Sequence, residues 1–140
     1  MNLTSLVPDN ITQILIKIVK FTQARQRVLV QNIINMHRPG FVPQELQEHE
    51  FSAVLNDAID EHSRSRRLVL YDTEHIKFGE RGLFEIRPVV DELGRELLAE
   101  DEGEYLLRQI GKLWENSLNQ TMAAGMLMLQ QKQRPIPFDV

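Results

Sequence analysis

The chain has 140 residues, 42% of them hydrophobic and 26% charged, which is room for one modest domain or an elongated helical subunit and too little for two independent enzyme domains. Sixteen basic residues against 20 acidic ones leave a formal charge of -4, so the chain as a whole has no electrostatic attraction for nucleic acid. The absence of Cys excludes a thiolate zinc site, a disulfide framework and a cysteine nucleophile.

The opening MNLTSLVPDN carries no basic n-region, and Lys17 and Lys20 interrupt the apolar stretch behind it. The expectation is therefore no cleaved signal peptide and no transmembrane helix, which would need about 20 apolar residues. Charge falls in alternating blocks: net +4 over residues 1–43, -6 over 44–62, +2 over 63–81, -6 over 82–105 and +2 over 106–140. Such blocks suit either a subunit meeting other protein surfaces through complementary fields or plain solvated faces.

The first element is a helix over about 10–36. Ile11, Ile14, Leu15, Ile18, Phe21, Val28, Leu29, Ile33 and Met36 recur at helical spacing with no Gly or Pro among them. Asn10 and Gln13 have the form of a capping box, with Pro8 barring extension upstream. Pro39 and Gly40 end the helix near Met36 or His37 and allow a turn. A shorter helix follows over about 43–61, with Phe51, Val54, Leu55, Ala58 and Ile59 as one apolar stripe and Glu48, Glu50, Asp57, Asp60 and Glu61 mostly on other faces. LVLY (68–71) reads as a short strand, and HIKF (75–78) with LFEI (83–86), separated by Gly79 to Gly82, as a loose hairpin.

The last helix starts at a second capping-box-like pair, Asp101 and Glu104, inside an acidic run that suits the positive end of a helix dipole. Leu106, Leu107, Ile110, Leu113, Trp114, Leu118, Met122, Met126 and Leu129 carry it to about Gln133, where Lys132, Arg134, Pro135 and Pro137 stop it. The fold class expected is mainly α: two long terminal amphipathic helices, each about 40 Å, packed as a coiled-coil-like pair around a shorter helix and a small irregular or β centre. The chain divides accordingly into residues 1–43, 44–100 and 101–140.

The apolar bands are wide, with Ile16 and Val19 joining the first and Leu127 and Met128 the last. A single partner helix would leave part of each uncovered, to be buried by further subunits or by the folded-back centre. Met122, Met126 and Met128 serve as core or interface filler.

Residues for chemistry are scattered. His37, His49, His62 and His75 form no i, i+4 pair, and Glu45 with His49 falls short of three metal ligands. There is no G-x-S-x-G elbow, GxGxxG or phosphate-binding loop, and the acidic pair Asp101 and Glu102 reads as a solvated helix start. Arg64, Arg66 and Arg67 beside Tyr71 lie between two strongly acidic blocks, a poor nucleic-acid site, and fit acids on a neighbouring subunit better. The expectation is no enzyme, no cofactor, no metal, no small-molecule substrate and no nucleic acid.

One segment adds what periodicity does not. Residues 29–41, LVQNIINMHRPGF, resemble the N-terminal motif of the flagellar rod, hook and hook-associated axial family, L-x-x-N-I-x-N-x-x-T-P-G-Y/F. Leu29, Asn32, Ile33, Asn35, Pro39, Gly40 and Phe41 match it; Arg38 stands where the family usually has Thr, and Met36 replaces a small residue. The stretch 106–133 is similar to the closing helix of the smallest, proximal members of that family: Asn116, Leu118, Leu127 and Leu129 fit, while Trp114 and Gln120 depart.

The resemblance implies an axial structural subunit whose terminal helices pack into the core of a helical tube. It would travel unfolded through flagellar type III export without a cleaved leader and take its place in the periplasmic rod of the basal body. Its partners would be copies of itself, other rod subunits, the basal-body adaptor protein, the membrane ring and the export gate. The matched motif residues would serve assembly, and Leu106, Ile110, Leu113, Trp114, Asn116, Leu118, Met122 and Leu129 would form the interface of the last helix. Asn32 and Asn35 are expected to hydrogen-bond either to the PG turn or to a neighbouring subunit. The other reading left open is a cytosolic helical adaptor or secretion chaperone.

Overall fold

The computed structural model describes residues 8–79 and 83–132. Helix α1 runs Pro8–Ile34 and is followed by a turn through residues 35–40; strand β1 is Gln44–Glu45 and helix α2 is Glu48–Ser65. Strands β2 (Ile76–Phe78), β3 (Phe84–Ile86) and β4 (Val89–Val90) lead to helices α3 (Glu92–Glu100) and α4 (Glu102–Lys132). The architecture is mainly helical, with the two long terminal helices packed together around a small strand-containing centre. They run antiparallel, since Asn32 on α1 meets Gln109 on α4 while Thr22 meets Asn116.

The core lies between α1, α2 and the hairpin rather than between the two long helices. Ile14 and Phe21 of α1 cluster with Leu46, Phe51, Leu55, Ile59 and Ile76. Phe21 and Phe51 stack with centroids 4.2 Å apart, and Phe84 and Phe78 extend the aromatic run. The centre of the chain thus covers the apolar band of α1, which an isolated amphipathic helix requires of some partner. Strands β2 and β3 pair antiparallel, Ile76 opposite Ile86 and Phe78 opposite Phe84, so the hairpin expected over 75–86 forms; residues 80–82 of its turn lie outside the described residues.

Several local expectations give way. Helix α1 begins at Pro8 itself, the position where a missing N–H costs least, so Asn10 lies within the helix rather than at its N-cap position. Helix α2 starts at Glu48, five residues later than the periodicity places it, because Gln44 and Glu45 pair with Val90 and Val89 as β1 against β4. Residues 68–71 form no strand; Leu68 and Leu70 pack on the core from an extended segment. Helix α2 runs on through Arg64 to a left-handed cap at Arg66 (φ 61°), whose N–H donates to His62 O at 2.8 Å. Helix α3, too short for periodicity to reveal, is capped by Asp91 accepting from Gly94 N at 3.0 Å. A Cβ at Gly94 would collide with that carboxylate. The expected start of the last helix holds: Asp101 accepts from Glu104 N at 3.1 Å. The N-terminal segment 1–7 and the helix stop at Gln133 to Pro137 lie outside the described residues.

Candidate assembly interface

Helix α4 presents two faces of opposite character, and they fall the other way round from the apolar pattern. Against α1 it sets polar residues. Tyr105, Gln109 and Asn116 are buried along this seam, with Lys112 mostly covered and Ala123 the small apolar contact beyond them. Tyr105 donates its hydroxyl proton to Asn32 O at 2.7 Å, and Asn116 donates Nδ2–H to Thr22 O at 2.7 Å. Burial, and after it the charge of Asp91, pushes the Tyr105 hydroxyl up to about 12, so it stays a donor. Thr22 in turn donates to the carbonyls of Ile18 and Val19.

Asn32 is the hub. It is 1% exposed, and its side-chain amide grips the backbone of β1: Nδ2 donates to Gln44 O at 2.8 Å, and Oδ1 accepts from Gln44 N at 3.0 Å. Nδ2 also donates to Gln109 Oε1 at 2.9 Å. One asparagine therefore ties the end of α1 to the chain emerging from the turn and to α4. Pairing with both the N–H and the C=O of one residue needs an amide, because Leu or Ile offers neither donor nor acceptor and Asp offers no N–H.

The other motif residues sit around this hub. Leu29 is fully buried and Ile33 partly so. Asn35 is partly covered and donates to Gln31 Oε1 at 2.7 Å, a contact within α1 and its end. Pro39 is exposed, Gly40 adopts φ 75°, and the half-buried Phe41 closes the turn by donating N–H to Arg38 O at 3.1 Å. Gly40 needs its lack of a Cβ for this left-handed backbone. His37 reaches Glu102 at 3.2 Å, beside the start of α4.

A charged cluster lies next to the hub. Arg25, 5% exposed at its side chain, is bound bidentately by Glu45 at 3.0 Å and contacts Glu48 at 2.7 Å. Lys112 bridges Glu45 at 2.9 Å and Asp91 at 3.2 Å. Burial works against the Glu45 carboxylate, but the Arg25 and Lys112 contacts outweigh it and hold the group below the usual carboxylate range. Asp91 is lowered likewise: burial opposes, and the Gly94 N–H and Lys112 prevail. The cluster fastens α1, β1, the α3 cap and α4 to one another. Sequence reasoning missed Arg25, Glu45, Asp91, Tyr105, Gln109 and Lys112 in this role. The signal available was the helical spacing of Tyr105, Gln109, Lys112 and Asn116, a polar stripe as regular as the apolar one.

Among the described residues the outer face of α4 has no partner. Leu107 (65% exposed), Ile110, Trp114 (70%), Leu118, Met122 (65%), Met128 and Leu129 all stand open to solvent. Between Tyr105 and Gln131 the one exposed charged residue is Glu115. The 23 residues from Leu107 to Leu129 make a face about 33 Å long, interrupted by Glu115 and otherwise by small or neutral residues such as Gly111, Ser117, Thr121 and Gly125. Nothing lies within 4 Å of a Cβ placed at either glycine. Of the residues assigned to this interface from the sequence, Ile110, Trp114, Leu118, Met122 and Leu129 share the open face, Leu106 and Leu113 are half-covered at its margin, and Asn116 belongs to the buried seam.

His62 is fully buried, with no hydrogen-bond partner for either ring nitrogen among the described residues, whereas several other titratable groups make local contacts. Glu50 accepts from Thr73 Oγ1, His75 N and His75 Nδ1; Tyr71 donates to Asp57; Arg64 pairs with Glu61 of its own helix at 3.0 Å. Among the described residues no group of three or more His, Asp or Glu could hold a metal ion, and no helix is long and apolar enough to cross a membrane. No family model, no curated protein and no solved structure matches the chain.

Proposed function

We propose that the chain is a structural subunit of the proximal rod of the bacterial flagellar basal body, of the kind called flagellar basal-body rod protein B, which polymerises through its terminal helices. The observation that carries this reading is the open, nearly charge-free face of α4 over Leu107 to Leu129. A monomeric soluble protein rarely leaves an apolar strip of that length uncovered, whereas a subunit destined to be surrounded by others requires one. The motif Leu29 to Phe41 adds to it, because the Asn32 grip on Gln44 gives a physical reason for an asparagine just ahead of a PG turn.

In this role the polar seam and the apolar face divide the work. The seam sets the register of α4 on α1 through directional bonds, as buried polar groups do in coiled coils. The apolar face, free of directional demands, packs against helices of neighbouring copies and of other rod subunits. The chain would reach the rod unfolded through the flagellar export apparatus, where it meets the export gate, the basal-body adaptor protein and the membrane ring. The test is fractionation: an epitope-tagged chain expressed from its own locus should copurify with detergent-extracted hook–basal bodies and be missing from them in an export-deficient strain. Recovery solely in the cytosolic fraction would refute the proposal.

A further inference from the structure

Along the open face of α4 one stripe repeats in steps of four and three residues, the spacing of a coiled-coil seam. It runs from Leu107 to Lys132 with Gly111, Trp114, Leu118, Thr121, Gly125 and Met128 between them, and each of these positions is exposed. A helix laid on this stripe meets large side chains at some levels and bare backbone at others, since a Cβ added at either glycine would have nothing within 4 Å.

We propose that this stripe pairs with α4 of a second copy of the chain, antiparallel, with the twofold axis level with the peptide between Asn119 and Gln120. The inference concerns the free chain in solution and does not depend on the reading of the chain as a rod subunit. Volume selects the partner and the register. Trp114 faces Gly125 of the second copy, Leu118 faces its Thr121 and Gly111 its Met128, so every layer holds one large and one small side chain and the layers can interdigitate at native density. A slip of one heptad sets Trp114 on Leu118 and Gly111 on Thr121, or, in the other direction, Leu118 on Met128 and Thr121 on Gly125. A parallel pair sets Trp on Trp and Gly on Gly. A surface that complements itself under a twofold axis is what an isologous dimer requires.

Charge selects the same arrangement. The first turn of α4 is acidic, with Glu102 and Glu104, and its last turn carries Lys132. The antiparallel pair brings Lys132 level with Leu107 of the second copy, about 4.5 Å along the axis from its Glu104, whereas a parallel pair sets Glu104 beside Glu104 and Lys132 beside Lys132. It also holds the two copies of the exposed Glu115 about 13 Å apart along the axis, beyond a screening length of about 8 Å. Area sets the strength. The seven large apolar residues open on this face expose on the order of 800 Å² per copy at about 200 Å² for a whole large side chain. A single helix covers the middle of that band, burying about 1,000 Å² over both copies, the lower limit of a specific interface. The dimer therefore forms at concentrations on the order of tens of micromolar and separates on dilution.

Sedimentation equilibrium of the full chain from low to high micromolar concentration should show a reversible monomer–dimer equilibrium. Gly125→Trp, which sets Trp on Trp114, should weaken it at least tenfold. The exchange Trp114→Gly with Gly125→Trp keeps the composition, restores one large and one small side chain to the layer, and should return the affinity to within threefold of the original, with circular dichroism unchanged in both variants. The absence of Cys from the sequence allows a test of orientation. Chains carrying Gly111→Cys mixed with chains carrying Met128→Cys should crosslink at least tenfold faster than either alone, because the antiparallel pair holds its two 111 positions about 25 Å apart along the axis. A chain that stays monomeric, a dimer that Gly125→Trp tightens as unspecific apolar association would, an exchange variant that fails to recover, or Gly111→Cys chains that crosslink fastest with themselves would overturn the proposal. Each of these results leaves the basal-body fractionation test of the rod reading standing on its own.

Discussion

Asn32 is where three elements of the structure meet. Its side chain makes three hydrogen bonds and its carbonyl a fourth, joining α1, β1 and α4. Replacing it by Ala removes the partner of the partly covered N–H and C=O of Gln44 and of the buried Gln109 Oε1, at about 1–3 kcal/mol for each group that stays unsatisfied. We expect Asn32→Ala to lower unfolding stability by about 2–4 kcal/mol in urea titrations, and Asn32→Leu, which refills the volume without the bonds, to be no better. Glu45 and Asp91 give the pH dependence at the same scale. Both carboxyls are held below their unfolded values, so their contribution is present above the unfolded range of about 4 to 4.5 and is lost as pH falls through the folded values. The urea midpoint should therefore be level from pH 7 to about pH 5 and decline below that. Glu45→Gln should flatten part of the decline.

At the scale of elements, the PG turn and the two faces of α4 decide how the chain is laid out. Substituting Pro39 and Gly40 by Ala favours helix continuation by roughly 3–4 kcal/mol in intrinsic propensity, and Ala at Gly40 disfavours the left-handed backbone of the present turn. Continuation would carry Gln44 away from Asn32. The Gln44 amide, which donates to Asn32 Oδ1, and the Asp91 amide, which donates to Pro43 O, should lose at least tenfold in hydrogen-exchange protection in the double variant. Unchanged protection would show that the clamp holds the turn regardless of its residues. The long helices were legible because their periodicity runs over many turns, and the PG break because Pro and Gly act locally. Which face of α4 meets α1 was not legible. An apolar stripe announces burial without naming the partner, and here the α1 seam selects a polar stripe whose bonds depend on Asn32 and Thr22, 77 and 94 residues away in sequence from Gln109 and Asn116. Helix α3 and the two-residue strands β1 and β4 were hidden for a simpler reason, since each is too short to show a period.

For the whole molecule, the consequence is an uneven distribution of stability. The half of α1 from Ile14 to Leu29 is enclosed by the aromatic core and the seam, whereas α4 beyond Ala123 has Leu127 half-covered and Met126, Met128 and Leu129 exposed. Hydrogen exchange on the isolated chain should show protection falling along α4 after Ala123 while α1 stays protected at its centre, because local opening is cheapest where few apolar groups are buried. The central claim is that the outer face of α4 is the surface through which the chain enters a larger assembly. Trp114→Glu combined with Leu118→Glu tests it most directly, since both side chains stand open and make no contribution to the core. The account predicts that the double variant unfolds within about 0.5 kcal/mol of the original, as surface substitutions do, and is missing from purified hook–basal bodies that contain the unsubstituted chain. Incorporation of the variant at the original level would contradict the account.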